Sequence, residues 1–159
     1  MATATEVAAF LVNEGIETGR HVRPMELQRL IYLAQCESYR RRGIGIVDAA
    51  ILAEAGGVVC TPVWRKYYLW GALRIQDRQA GGNRLDATDR EIASQTLVRF
   101  GGIAPGRQIA LVKAPGGPWH RTVHSCATLP APIDFGGFDG TRQTTADAPT
   151  GAPSSVSQR

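Results

Sequence analysis

Apolar side chains recur at helical intervals in five stretches of this chain, each bounded by a glycine or proline break. In the first, Val7, Phe10 and Leu11 follow Thr3 and Glu6, whose spacing is that of a capping box, and the pattern runs to Gly15. After a loop over 15–23, Pro24 opens the second. A missing N–H costs nothing at a first helical position, and Leu27, Leu30, Ile31 and Ala34 then share one face. That helix is predicted to run roughly five turns to Arg42, where Gly43 stops it. Thr61-Pro62 starts a third, carrying Val63, Trp64, Tyr67, Tyr68 and Trp70. Asp86 or Thr88 caps a fourth, with Ala93, Thr96, Leu97 and Phe100 in one stripe and Gly101-Gly102 as its end. Pro105 opens a shorter fifth through Ile109, Leu111 and Val112, cut off by the proline–glycine run 115–118.

Residues 44–56 break the helical period. Ile44–Val47, then Asp48, then the Ala/Ile/Leu run to Ala55 read as two short strands in a hairpin, ended by Gly56-Gly57. Residues 77–84 read as an exposed turn, and 133–138 as a segment able to pack. From Asp139 onward Val156 is the sole large aliphatic residue, too little burial to offset the entropy of ordering. The predicted architecture is therefore mainly α. A compact helical domain of about five helices with a small β-hairpin covers 1–138, and a disordered tail covers 139–159.

Composition narrows the function. With 159 residues, 43% hydrophobic and 20% charged, the chain suits one globular domain. It contains no run of 18 apolar residues, and its opening Met-Ala-Thr-Ala-Thr-Glu lacks the features of a secretory signal, so a cytoplasmic protein with no membrane partner is expected. Cys36, Cys60 and Cys126 are an odd, widely spaced set, which suits reduced thiols better than a disulfide framework. The net charge of +4 favours acidic partners, whether protein or nucleic acid.

The catalytic motifs are missing. His120 and His124 stand four apart and Cys126 follows, but no further ligand sits at zinc spacing and no glutamate lies between the histidines, so no metal is expected. The glycine pairs do not form a phosphate-binding spacing, and no Gly-x-Ser-x-Gly element occurs. Neither a cofactor nor an enzymatic activity is expected. Two binding surfaces remain. Arg40, Arg41 and Arg42, preceded by Arg20, His21, Arg23 and Arg29, could contact nucleic acid, although cations at a helix C-terminus are also favoured by its dipole. The run Trp64–Trp70 carries more rings than one buried helix face holds, and Trp, Tyr and Arg are common interface anchors.

Four segments in register resemble a known family. Arg23 through Gln35 (RPMELQRLIYLAQ) resembles the "lT-x-x-KLqKLlYyaq" opening of the Panacea antitoxin domain, the SocA- and GepA-like family of phage and bacterial proteins. Ala53 through Trp64 is similar to its "Aw-x-yGPVvp-x-vy" segment, Leu85-Asp86 to its "Ld" helix start and Gly117–Trp119 to its closing "PW". Order and spacing agree over about residues 5–125, with Glu54, Val58 and Lys113 departing from the pattern. The resemblance implies a non-catalytic antitoxin that binds a cognate toxin directly or delivers it to a protease. On that reading Tyr32 and Gln35, on the flank of the second helix, join Trp64, Arg65 and Tyr68 as partner-binding residues. The alternative is a nucleic-acid-binding regulator using Arg40, Arg41 and Arg42.

Because 139–159 offers almost no core, deleting it should leave the thermal unfolding midpoint nearly unchanged. A drop of many degrees would place this segment in the folded unit.

Overall fold

The computed structural model describes residues 1–137. Those residues form α1 (Ala4–Glu17), α2 (Pro24–Arg42), β1 (Leu52–Glu54), β2 (Gly57–Val59), α3 (Thr61–Tyr67), α4 (Ala87–Phe100), α5 (Pro105–Val112), α6 (Pro118–Ser125) and β3 (Ala131–Pro132). A 3₁₀ turn, Tyr68–Trp70, extends α3. The mainly helical fold with a small sheet is as expected, and the tail predicted over 139–159 lies outside the described residues. Among these residues no helix is long and apolar enough to cross a membrane.

The helix ends follow local chemistry. At α1, Thr3 Oγ1 accepts from Glu6 N at 3.2 Å while Glu6 Oε2 accepts from Thr3 N at 3.0 Å, the reciprocal capping box. Asp86 Oδ1 caps α4 by accepting from Asp89 N at 2.7 Å. Gly43 ends α2 at φ 69°, a left-handed conformation that a side chain would disfavour.

Helix α2 is the axis of the core. It packs against α1, α3, α4, α5 and β2, and Leu27, Leu30, Ile31, Tyr32, Leu33 and Ala34 are all buried, so apolar contacts surround it. One row along it is polar and equally buried: Gln28, Tyr32, Gln35 and Ser38, at steps of four, three and three. Each meets the backbone of a crossing segment. Gln28 Oε1 accepts from Cys60 N at 2.6 Å. The Tyr32 hydroxyl accepts from Trp119 N at 3.1 Å. Gln35 Oε1 accepts from Ile46 N at 2.8 Å and Val47 N at 3.2 Å. Ser38 Oγ donates to the Ile44 carbonyl at 2.7 Å. On another side, buried Gln108 of α5 accepts from Arg29 Nε at 2.8 Å and donates to Glu26 at 2.9 Å and to the Phe100 carbonyl at 2.8 Å. It thereby ties α5 to α2 and to the end of α4.

The sheet corrects the sequence expectation. The hairpin lies later than 44–56: β1 pairs antiparallel with β2 in the register Leu52↔Val59, Ala53↔Val58 and Glu54↔Gly57, so Gly57 begins a strand. Residues 46 and 47 have their N–H groups taken by Gln35 and cannot use them in a strand ladder, and Val47 makes only an isolated bridge to Ala2. Strand β3 pairs with the other edge of β1, Ala53↔Ala131, and of the segment 133–138 expected to pack, Ile133 and Phe135 are buried and residue 138 lies outside the described residues. Helix α6 is a second correction. Pro118, read as the end of a helix, occupies the start of one, the position where proline is equally at home.

Replacing Gln35 by Met keeps the volume but strands two buried N–H groups. An unpaired buried donor costs about 1–3 kcal/mol, so Q35M should destabilise the fold by at least about 2 kcal/mol in chemical denaturation. A loss below about 0.5 kcal/mol, the scale of an ordinary surface change, would contradict the role given to this side chain.

Candidate functional site

Helix α3 turns Val63 and Tyr67, four apart, into the core, so Trp64, Arg65, Lys66 and Tyr68 must point outward. The exposed face is apolar as well as cationic. Trp64 is 39% exposed, Tyr68 49%, Leu69 83% and Leu73 69%. The Trp64 and Tyr68 rings lie 6.4 Å apart at 34° and form one aromatic ridge. Beneath it the Tyr67 hydroxyl is buried without a hydrogen-bond partner among the described residues, and burial pushes this phenol up to about 12.

The charge of this face is all of one sign. Between Ala55 and Gln76 there is no Asp or Glu, while Arg65, Lys66 and Arg74 fall within that span. None of the three takes part in an ion pair among the described residues, where the paired cations are Arg40, Arg41, Arg42, Arg78 and Arg84.

The candidate residues separate cleanly. Trp64, Arg65 and Tyr68 come together on the exposed face. Tyr32 and Gln35 do not join them: both are interior, held by Trp119 and by Ile46 and Val47, and burial pushes the Tyr32 phenol upward. They belong to the polar row of α2, and their assignment to a partner-facing flank is corrected.

The arginine run is spoken for as well. Arg40 reaches Glu37 through Nε at 2.9 Å and Nη2 at 2.6 Å. Arg41 bonds Glu37 at 2.5 Å, Glu91 at 3.2 Å and Gln95. Arg42 bonds Asp89 at 2.5 Å and Ser38 at 2.9 Å. Arg41 and Arg42 thus fasten the end of α2 to α4, while the Arg40 pair stays within α2. Hydrogen bonding from Arg40, reinforced by Arg41, holds the Glu37 carboxyl at about 2.

The histidine and cysteine set has no comparable organisation. The His120 and His124 rings sit 4.1 Å apart, but His120 Nδ1 accepts from Gly116 N at 3.2 Å, so that lone pair is already used. Burial pushes the Cys36 thiol up to about 12 and the Cys60 thiol up to about 11, so neither is a thiolate nucleophile at neutral pH. Among the described residues no three His, Cys, Asp or Glu side chains gather to hold a metal ion.

Sequence reasoning missed Leu69, Leu73 and Arg74. They fall in the acid-free span from Ala55 to Gln76, but a longer one runs over 92–133, so the charge pattern alone does not single them out. Comparison with known protein families, curated proteins and solved structures gives no match.

The Glu37 cluster has a pH signature. A carboxyl held below its ordinary 4.5 adds stability that is present above pH 4.5 and is lost as pH falls through about 2. The E37Q variant should therefore lose less stability than the wild type between those limits in acid titration of unfolding. Parallel curves would show that the arginines do not depend on this carboxylate.

Proposed function

We propose that this chain is an antitoxin-like binding protein that neutralises a cognate toxin by contact, either covering the toxin's working surface or presenting it to a protease. The observation that carries this reading is the surface formed by α3, its 3₁₀ extension and the turn that follows. There, two exposed aromatic rings and two exposed leucines are set among cations without carboxylate partners. A contiguous exposed apolar patch ringed by polar side chains marks a surface built for another molecule. Trp, Tyr and Arg are the residue types that most often anchor such contacts.

A second support comes from where the family-like segments lie. Gln28 and Tyr32 of the first segment bond the amides of Cys60 and Trp119, in the second and last. Trp119 Nε1 in turn donates to the Glu54 and Gly57 carbonyls at 3.0 and 2.8 Å. Three of the four segments thus form one hydrogen-bonded unit, and Leu85-Asp86 stands outside it. The departures at Glu54 and Lys113 sit on this frame without breaking it, since Glu54 contributes only its carbonyl and Lys113 Nζ donates to the Ala55 carbonyl at 3.0 Å. The regulator reading has less to stand on, because the cations it would use are neutralised within the fold.

Co-expression with the toxic product of the adjacent gene should restore growth, and the two proteins should co-purify or the toxin should be degraded. Truncating an interface anchor costs more than about 1 kcal/mol, and a central one about 2–4 kcal/mol. Folded W64A, R65A or Y68A variants should therefore rescue poorly. Full rescue by all three would place the interface elsewhere, and failure of the wild-type protein to bind or rescue would end the antitoxin reading.

A further inference from the structure

Immediately beyond the aromatic ridge the chain makes a feature that neither helix packing nor the resemblance calls for. Ile75 N donates to the Val22 carbonyl at 2.8 Å, and Ile75 and Val22 are both buried. This bond pins the loop after α3 against the start of α2 and sets Arg74 beside Arg23, although 51 positions separate them in sequence. The intervening turn is closed by its own backbone: Gly71 N donates to the Tyr68 carbonyl at 3.0 Å and Leu73 N to the Trp70 carbonyl at 2.9 Å. Gly71 sits at φ 58°, where a side chain would be strained.

Arg23, Trp70, Ala72, Leu73, Arg74 and Gln76 thereby line an open trough of about 450 Å³. Neither arginine makes an ion pair or a side-chain hydrogen bond among the described residues, and no acidic side chain lines the trough. Arg23 is the N-cap residue of α2 and makes no capping bond, and Glu26 in the first turn offsets the dipole of that helix. Neither guanidinium has an anionic partner among the described residues, and an anion seated in the trough would supply one. A carboxylate matches the fork of an arginine in two parallel hydrogen bonds. Beside the cations, exposed Leu73 and half-buried Trp70 offer an apolar wall.

We infer that this trough takes an acidic protein segment in which a carboxylate side chain neighbours a large apolar one, the carboxylate between Arg23 and Arg74 and the apolar side chain on Trp70 and Leu73. The inference rests on the protein-binding reading and specifies the chemistry of the partner. A nucleic acid fits less well, because Leu69 and Leu73, at 83% and 69% exposed, stand further out than the neighbouring rings of Trp64 and Tyr68, at 39% and 49%, and offer no face on which a base stacks. A second copy of the chain would bring the same unpaired cations face to face.

The test is a calorimetric titration of the full chain with a blocked peptide of alternating aspartate and leucine, set against its asparagine–leucine counterpart and a single-stranded oligothymidylate. The acidic peptide should bind saturably and more weakly as salt is raised. R23E/R74E should weaken it by at least about tenfold, while R107E/R121E, an equal charge change at exposed positions on α5 and α6, should not. R23K/R74K should fall between, keeping charge but losing the two-pronged contact. Unchanged thermal midpoints establish that the charge variants remain folded.

Equal binding by wild type and R23E/R74E, equal binding of the asparagine peptide, or tighter binding of the oligonucleotide at physiological salt would each overturn the inference. Toxin rescue separates the two claims. If the peptide binds through the arginines and rescue fails, the antitoxin reading falls and the trough stands. If rescue survives R23E/R74E and the peptide does not bind, the trough falls alone.

Discussion

A buried backbone N–H without a partner is a cost that a protein of this size cannot bear often, and the fold is organised around meeting that demand. Several amides enter the core outside any helix or strand ladder that would satisfy them: Ile46 and Val47 in the segment after α2, Cys60 before α3, and Trp119 in the first turn of α6. Their acceptors are the side chains of a single helix row, Gln35, Gln28 and Tyr32. Hydrophobic contact alone would let these crossing segments slide, because burial energy is nearly indifferent to register. The hydrogen bonds from α2 specify where each one starts and how it is turned.

That constraint reaches the surface. Fixing Cys60 against Gln28 sets the first residue of α3, which decides that Val63 and Tyr67 face inward and that Trp64, Arg65 and Tyr68 face outward. The same helix ends in three arginines that are all paired with carboxylates, two of them, Arg41 and Arg42, holding α4. One part of the surface has its cations balanced by carboxylates for structural ends; another keeps them unbalanced beside exposed aromatic and aliphatic groups. A free cation next to an exposed apolar patch gains little within the isolated molecule and much at a desolvated interface, which is the physical basis for placing recognition on α3 rather than on the arginine run.

Much of the fold could be read from local chemistry. The capping residues Thr3 and Asp86, the stop at Gly43 and the prolines opening α2 and α5 all act within a few positions of themselves, and each marks a true element end. What escaped was non-local. Tyr32 and Gln35 read as an exposed flank because a polar residue on a helix is buried only if a distant segment crosses it, and here those segments lie 87 and 11–12 residues away. Arg41 and Arg42 read as free cations because Glu91 and Asp89 are 50 and 47 residues off. The later hairpin and α6 were displaced or missed because glycine and proline punctuate starts and stops alike. The exposed ridge at Trp64 and Tyr68 was legible because ring count against one helix face is a local argument.

The central claim is that α2 satisfies the amides of segments that have no ladder of their own. Native-state hydrogen exchange reads this directly, residue by residue. The account predicts that the amides of Ile46, Val47, Cys60 and Trp119 exchange nearly as slowly as the middle of α2, although they lie in loops or at helix starts where amides ordinarily exchange fast. Fast exchange at these positions, with α2 itself protected, would show that the polar row does not hold the crossing segments and would contradict the account.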